Sequence, residues 1–165
     1  MNKSKTRIAV FPGTFDPMTN GHLDVIERGS VMFDQLVVAV GENPDKSALF
    51  NQDERAEIIA DVVANMSNVK VAKYTGLTID YVRATQGDLM LRGIRNSSDL
   101  QFEFQVALTN RVTGGIETIF IMTKPEFAFI SSSLIKQIAQ MGADVSALVP
   151  AQVAKRLKSK LSNLP

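Results

Sequence analysis

Apolar runs and polar punctuation alternate along this chain with a regular rhythm. Ile8-Ala9-Val10-Phe11 is a short continuous apolar stretch closed by Pro12-Gly13, the pattern of a buried strand entering a turn. From Gly21 onward, Leu23, Ile26 and Val31 approximate helical spacing, with Asp24, Glu27 and Arg28 assigned to the opposite face before Phe33-Asp34 ends the segment. Residues 36–40 predict a second buried strand, and residues 41–50, polar and containing Pro44, a loop. Asn51 followed by Glu54 resembles a variant capping box that opens a helix toward Met66, its core face carried by Ile58, Ile59, Val62 and Val63.

The alternation continues with a strand at residues 69–73, a short helix at 79–85 and a strand at 88–92. Over 99–113 the pairs Phe102/Val106, Leu100/Phe104 and Phe104/Leu108 are spaced four apart, which suits a helix with a broad apolar surface that Gly114-Gly115 would break. A fifth strand is expected at 118–122 and a helix at 131–141. The terminal helix carries Val153, Leu157 and Leu161 on one face and Lys155, Arg156, Lys158 and Lys160 on a face expected to be solvated. Strands alternating with helices at these lengths predict an α/β fold: a five-stranded parallel sheet, helices on both faces, ligands at the carboxyl ends of the strands. Residues 1–165 are expected to form one domain.

Composition narrows the function. Hydrophobic residues make up 45% and charged residues 21% of the chain, values of an ordinary globular protein. Lys plus Arg number 18 against 17 acidic residues, so there is no global positive field for nucleic acid or a membrane surface, and any anion site is local. The absence of cysteine rules out disulfides and thiol nucleophiles, and a single histidine leaves too few ligands for a typical structural zinc site. The apolar stretch 8–11 is too short for a signal or membrane segment, and a cytoplasmic location is expected.

The chemistry concentrates where the first strand runs into the first helix: Pro12-Gly13-Thr14-Phe15-Asp16-Pro17-Met18-Thr19-Asn20-Gly21-His22. Two glycines in such a turn let backbone amides approach a phosphate, and the helix start adds partial positive charge and unpaired N–H groups. His22, at that start, is expected to be a neutral hydrogen-bond donor held in one tautomer, because the helix dipole disfavours the imidazolium; its role would be electrostatic. Taken singly, these glycines would only mark turns and the histidine would only pack.

Arg92-Gly93-Ile94-Arg95, at the end of the fourth strand, places two guanidinium forks suited to phosphate oxygens where an α/β sheet holds its ligands. Phe127-Ala128-Phe129-Ile130-Ser131-Ser132-Ser133 runs into a helix, and its hydroxyls can cap that helix or, with backbone amides, hold phosphates. Lys46, in the loop after the second strand, leaves the same edge of the sheet and can meet an incoming phosphate.

Gly13-Thr14-Phe15-Asp16-Pro17 with Thr19-x-Gly21-His22 resembles the signature of the nucleotidyltransferase superfamily, and all four elements in this order resemble the phosphopantetheine adenylyltransferase family from Ile8 to the terminal helix. That resemblance implies a Rossmann-like fold, a homohexamer, and adenylyl transfer from ATP, with Mg2+ bound mainly through ATP phosphates, to 4′-phosphopantetheine. The products would be dephospho-coenzyme A and pyrophosphate, in the penultimate step of coenzyme A biosynthesis, with coenzyme A as a feedback ligand. It implies that His22, Lys46 and Arg95 are catalytic. To ATP it assigns Thr14, Phe15, His22, Gly93, Ile94, Arg95, Asp99, Glu103, Phe127, Ala128, Phe129, Ile130, Ser131, Ser132 and Ser133. To the acceptor it assigns Thr14, Lys46, Leu77 and Arg92, with no protein metal ligand named.

Two features depart from the family pattern: the segment 112–116 with Gly114-Gly115, and Phe127 where tryptophan is common. Another nucleotidyltransferase, acting on nicotinate mononucleotide or making a cytidylyl product, would share the first motif, but the Arg-Thr-x-Gly-Ile-Ser-Thr type of segment expected of a cytidylyltransferase is missing. A catalytically silent nucleotide-binding module is the alternative from another class, and the presence of His22 and Arg95 weighs against it.

Overall fold

A computed structural model of the chain describes residues 6–42 and 47–162. The strands are β1 (Ile8–Gly13), β2 (Gln35–Val40), β3 (Val69–Lys73), β4 (Leu89–Ile94) and β5 (Glu117–Met122). All pair in parallel in the order β3-β2-β1-β4-β5. The helices are α1 (Asn20–Ser30), α2 (Gln52–Val62), α3 (Thr78–Ala84), α4 (Ser97–Gly114), α5 (Ser132–Gln140) and α6 (Ala151–Ser162). The expected α/β sheet is therefore present, and its order reverses between β1 and β4, the position at which such sheets open a ligand crevice.

Side chains of the central strands alternate between two cores, as period-two geometry requires. Ala9, Phe11, Leu36, Val38, Val40 and Leu91 face one core, which also takes in Val25 and Ile26 of α1, Ile58 and Ile59 of α2, Ile135 of α5 and Val153 and Leu157 of α6. Val10, Val37, Ala39 and Met90 face the other, with Val82 of α3 and Ile116. Near-continuous burial of β1 and β2 explains why they read as unbroken apolar runs.

Several boundaries and faces differ from the expectations, each for a local reason. Helix α2 stops at Val62 rather than near Met66, because a turn follows in which the Asn68 amide donates to the carbonyls of Ser30 and Phe33. Strand β4 extends to Ile94, since Arg92, Gly93 and Ile94 pair with Phe120, Ile121 and Met122. Gly114 remains helical, and Gly115 ends α4 in the left-handed conformation at φ 67°, which glycine adopts without steric cost. Asp24, assigned to the polar face of α1, is buried; Arg28 and the Lys124 backbone N–H donate to it. The basic face of α6 is only partly solvated: Lys160 pairs with Glu54 at 2.7 Å, and Arg156 approaches Glu57 and Asp61 of α2.

Candidate functional site

The turn from β1 to α1 is shaped by one aromatic ring. Phe15 adopts φ 52°, a left-handed conformation that a non-glycine residue rarely takes, and its ring folds back over Gly13. A Cβ on Gly13 would stand 2.8 Å from Phe15 Cζ, so only glycine fits there. The buried Phe15 ring meets Phe11 edge-on at 5.4 Å and His22 at 5.1 Å between centroids.

Helix α1 opens with a capping box. Thr19 Oγ1 accepts from the His22 N–H, and the Thr19 N–H donates to His22 Nδ1 at 3.0 Å. That bond requires an unprotonated Nδ1, so the ring proton sits on Nε2, which has no protein partner among the described residues. Burial lowers the His22 pKa from 6.5 to about 4, assisted by the positive charges of Arg95 and then Arg92. The neutral donor expected from the sequence is thus what the geometry provides, with burial and two arginines as the causes where the helix dipole had been invoked.

Both arginines are held by acids one helix away. Arg92 Nε donates to Glu103 Oε2 at 2.8 Å, its Nη2 donates to Glu103 Oε1, and its Nη1 donates to the Pro12 carbonyl. Arg95 makes the same bidentate contact with Asp99 at 2.8 and 3.0 Å and donates from Nη1 to the Ile130 carbonyl at 2.9 Å. Asp99 and Glu103, read from sequence as nucleotide contacts, here fix the two forks in the wall of the cleft.

The three serines divide their work. Ser131 caps α5 by accepting from the Leu134 N–H, Ser132 Oγ donates to the Pro17 carbonyl at 2.7 Å, and the Ser133 hydroxyl has no protein partner among the described residues. Phe127 lies against the start of α1, its Cβ 3.5 Å from where a Cβ on Gly21 would be, while Phe129 is exposed.

A second layer of polar residues supports these loops. Arg55, buried on α2, donates to the carbonyls of Thr14, Gly41, Phe50 and Asn51. Asp16, also buried, accepts from the Leu49 and Phe50 N–H groups and from Lys136 Nζ. Gln52 joins the Val40 and Tyr74 carbonyls. Sequence reasoning gave roles to none of these. Arg55 did carry a signal: it falls on the same face of α2 as Ile58 and Ile59, and a cation on a core face needs partners.

Together they enclose a cleft of about 530 Å³ at the carboxyl ends of β1 and β4. Of the residues singled out from sequence, it brings together Thr14, Phe15, His22, Arg92, Gly93, Arg95, Asp99, Glu103, Ile130, Ser131, Ser132 and Ser133. Leu77, Ile94, Phe127, Ala128 and Phe129 stand outside its lining; Leu77 is exposed ahead of α3 and Ile94 points into the core. Lys46 lies outside the described residues. Among the described residues, no group of three or more His, Cys, Asp or Glu side chains could hold a metal ion.

Residues 10–138 match the model of the cytidylyltransferase-like family. The phosphopantetheine adenylyltransferase of Carboxydothermus hydrogenoformans is 44% identical over 155 residues, covering 93% of this chain and 96% of the relative. That of Levilactobacillus brevis is 45% identical with the same coverage of both chains. Among solved structures, a putative nicotinate-nucleotide adenylyltransferase from Vibrio parahaemolyticus superposes with a TM-score of 0.67 over 93% of this chain and 99% of the other. At 20% identity that likeness concerns the fold alone.

Proposed function

The chain belongs to the phosphopantetheine adenylyltransferase family, and from that premise we infer that it transfers the adenylyl group of ATP to 4′-phosphopantetheine, giving dephospho-coenzyme A and pyrophosphate, the penultimate step of coenzyme A biosynthesis. The acceptor phosphate attacks the α-phosphorus in line and pyrophosphate leaves from the opposite side. An ionised phosphate needs no general base, so catalysis consists of bringing two anions together and dispersing charge over the phosphoryl oxygens.

One observation carries the residue assignment. A neutral imidazole with its Nε2–H unengaged shares a cleft with two acid-oriented arginines at the point where the strand order reverses. In this reading His22 donates to an α-phosphate oxygen as charge builds there. Arg95 and the start of α5, with the Ser133 hydroxyl, hold the β- and γ-phosphates. Thr14 contacts both substrates, while Arg92 and Lys46 receive the acceptor phosphate and Leu77 the pantetheine arm. Phe15, Gly93 and Ile94 border the nucleotide through backbone and packing, as does the segment Phe127 to Ile130.

Magnesium fits this site as a substrate-borne ion. Asp99 and Glu103 are already committed to arginines, so Mg2+ would be held chiefly by ATP oxygens and would supply neutralising charge on the phosphates. The chain acts as a single catalytic domain in a homohexamer, a reading supported by exposed Phe102, Phe104, Leu108 and Val112 along α4. Coenzyme A, which carries the product's dephospho-coenzyme A framework, is the proposed feedback ligand. The cytoplasm is the proposed location; no helix among the described residues is long and apolar enough to cross a membrane.

The deciding experiment measures pyrophosphate release from ATP and magnesium with 4′-phosphopantetheine, with nicotinate mononucleotide, and with neither. Release only with phosphopantetheine is expected. Release only with nicotinate mononucleotide would reassign the acceptor pocket, and ATP binding without release would favour a silent nucleotide-binding module.

A further inference from the structure

Among the described residues, four cations line the cleft: Arg55 serves backbone carbonyls, and the other three are matched by acids. Glu103 holds Arg92, Asp99 holds Arg95, and Asp16 holds Lys136. The two arginines have work in the proposed reaction. Lys136 has none, although it lines the same cleft.

Lys136 lies one turn beyond Ser132 on α5, so both side chains face the β1–α1 turn. Ser132 Oγ donates to the Pro17 carbonyl at 2.7 Å, and Lys136 Nζ donates to Asp16 Oδ2 at 3.0 Å and to the Ser47 carbonyl at 3.0 Å. The same carboxylate accepts from the backbone N–H groups of Leu49 at 2.9 Å and Phe50 at 3.0 Å. The Asp16 side chain is 6% exposed and that of Lys136 23%. The turn after β1, the stretch 47–50 and the first turns of α5 are therefore joined at one carboxylate, in the wall of a cleft that must accept two polyanions. An unmatched negative charge there would repel both substrates.

We propose that Lys136 is a positioning residue for adenylyl transfer that acts through Asp16: it cancels the carboxylate's charge beside the bound phosphates. Its consequence for turnover rests on the proposed reaction, but ATP affinity alone tests it.

The test is calorimetric titration of wild type, K136M, K136R, D16N and K136M/D16N with Mg·ATP, with folding followed by circular dichroism and thermal melting. K136M should weaken ATP binding about tenfold or more, because it exposes a like charge to the triphosphate. High ionic strength should shrink the loss. K136R should stay within about threefold of wild type, since it restores the charge. D16N added to K136M should recover most of the lost affinity. Wild-type affinity in K136M overturns the proposal, as does a double variant that binds no tighter than K136M, because Lys136 would then act on phosphate itself or only pack. If K136M fails to fold, a folded K136R with the full loss, or a D16N that binds ATP less tightly than wild type, overturns it equally. A wild-type protein that binds ATP but releases no pyrophosphate with phosphopantetheine overturns the reaction assignment and leaves these affinities to decide on Lys136.

Discussion

His22 can be titrated without overlap, because the chain contains one histidine. Its pKa is lowered from 6.5 to about 4 by burial and then by Arg95 and Arg92, a depression worth about 3 kcal/mol at about 1.4 kcal/mol per tenfold. Above pH 6.5 the imidazole is neutral in both folded and unfolded chains, and this contribution to stability is fully present. Between 6.5 and about 4 the unfolded chain binds a proton that the folded chain does not. Stability therefore falls with pH across that window, by up to about 3 kcal/mol from this residue. Protonation also removes the Nδ1 acceptor that receives the Thr19 N–H, so the acid form loses half of the α1 capping box.

Two measurements follow from that argument. An NMR titration of the ligand-free imidazole should show an Nε2–H tautomer at neutral pH and a midpoint near 4. Urea unfolding of wild type and His22→Gln should diverge in the same window, because glutamine keeps a side-chain acceptor at N3 of the capping box but does not titrate. Turnover separates the two roles further. His22→Gln should retain the wild-type melting temperature within a few degrees, and His22→Ala should lose about 1 kcal/mol for the cap. Both should lose about a hundredfold or more in kcat if Nε2–H stabilises the developing charge. A midpoint at or above 6, or identical pH dependence of stability in wild type and His22→Gln, would refute the burial argument. Wild-type kcat in either variant would remove His22 from the chemistry.

Arg95→Ala should lower kcat about a hundredfold or more while preserving the fold, checked by pyrophosphate release and circular dichroism; unchanged kcat would dissociate Arg95 from the phosphates. Arg55→Met should instead reduce stability by about 3–5 kcal/mol, since it strips donors from the buried carbonyls that Arg55 serves, and denaturant unfolding reads this directly. Chelation of magnesium should abolish pyrophosphate release but leave the melting temperature of the ATP-free protein unchanged; a lower melting temperature would reveal a metal bound by the protein itself. If the wild-type particle mass in light scattering is that of the proposed hexamer, Phe104→Glu should reduce it, and an unaltered mass would place the α4 surface outside the interface.

What the sequence made legible, and what it hid, follows from the range over which each signal acts. Strands β1 and β2 were readable because continuous burial leaves a continuous apolar run, and the capping box at Asn51 and Glu54 because it is written within one turn. The residues proposed to face phosphate were readable because His22, Arg92 and Arg95 occur in compact motifs at strand ends. The supports of the site were not, since their partners are distant in sequence and mostly backbone. Arg55 reaches the carbonyls of Thr14 and Gly41, and Lys136 reaches Asp16 and the Ser47 carbonyl. A carbonyl acceptor leaves no residue type to recognise, so such a contact is invisible in any local pattern. Asp99 and Glu103 show the intermediate case: their positions near the nucleotide motifs were evident, but only the fold reveals that each is occupied by an arginine. The same reasoning explains Asp24 and the cations of α6, whose polar identities pointed to solvent while their partners lay on other elements. Buried charge in this chain thus marks the joints between loops, and Asp16 with Lys136 is one such joint in the wall of the cleft.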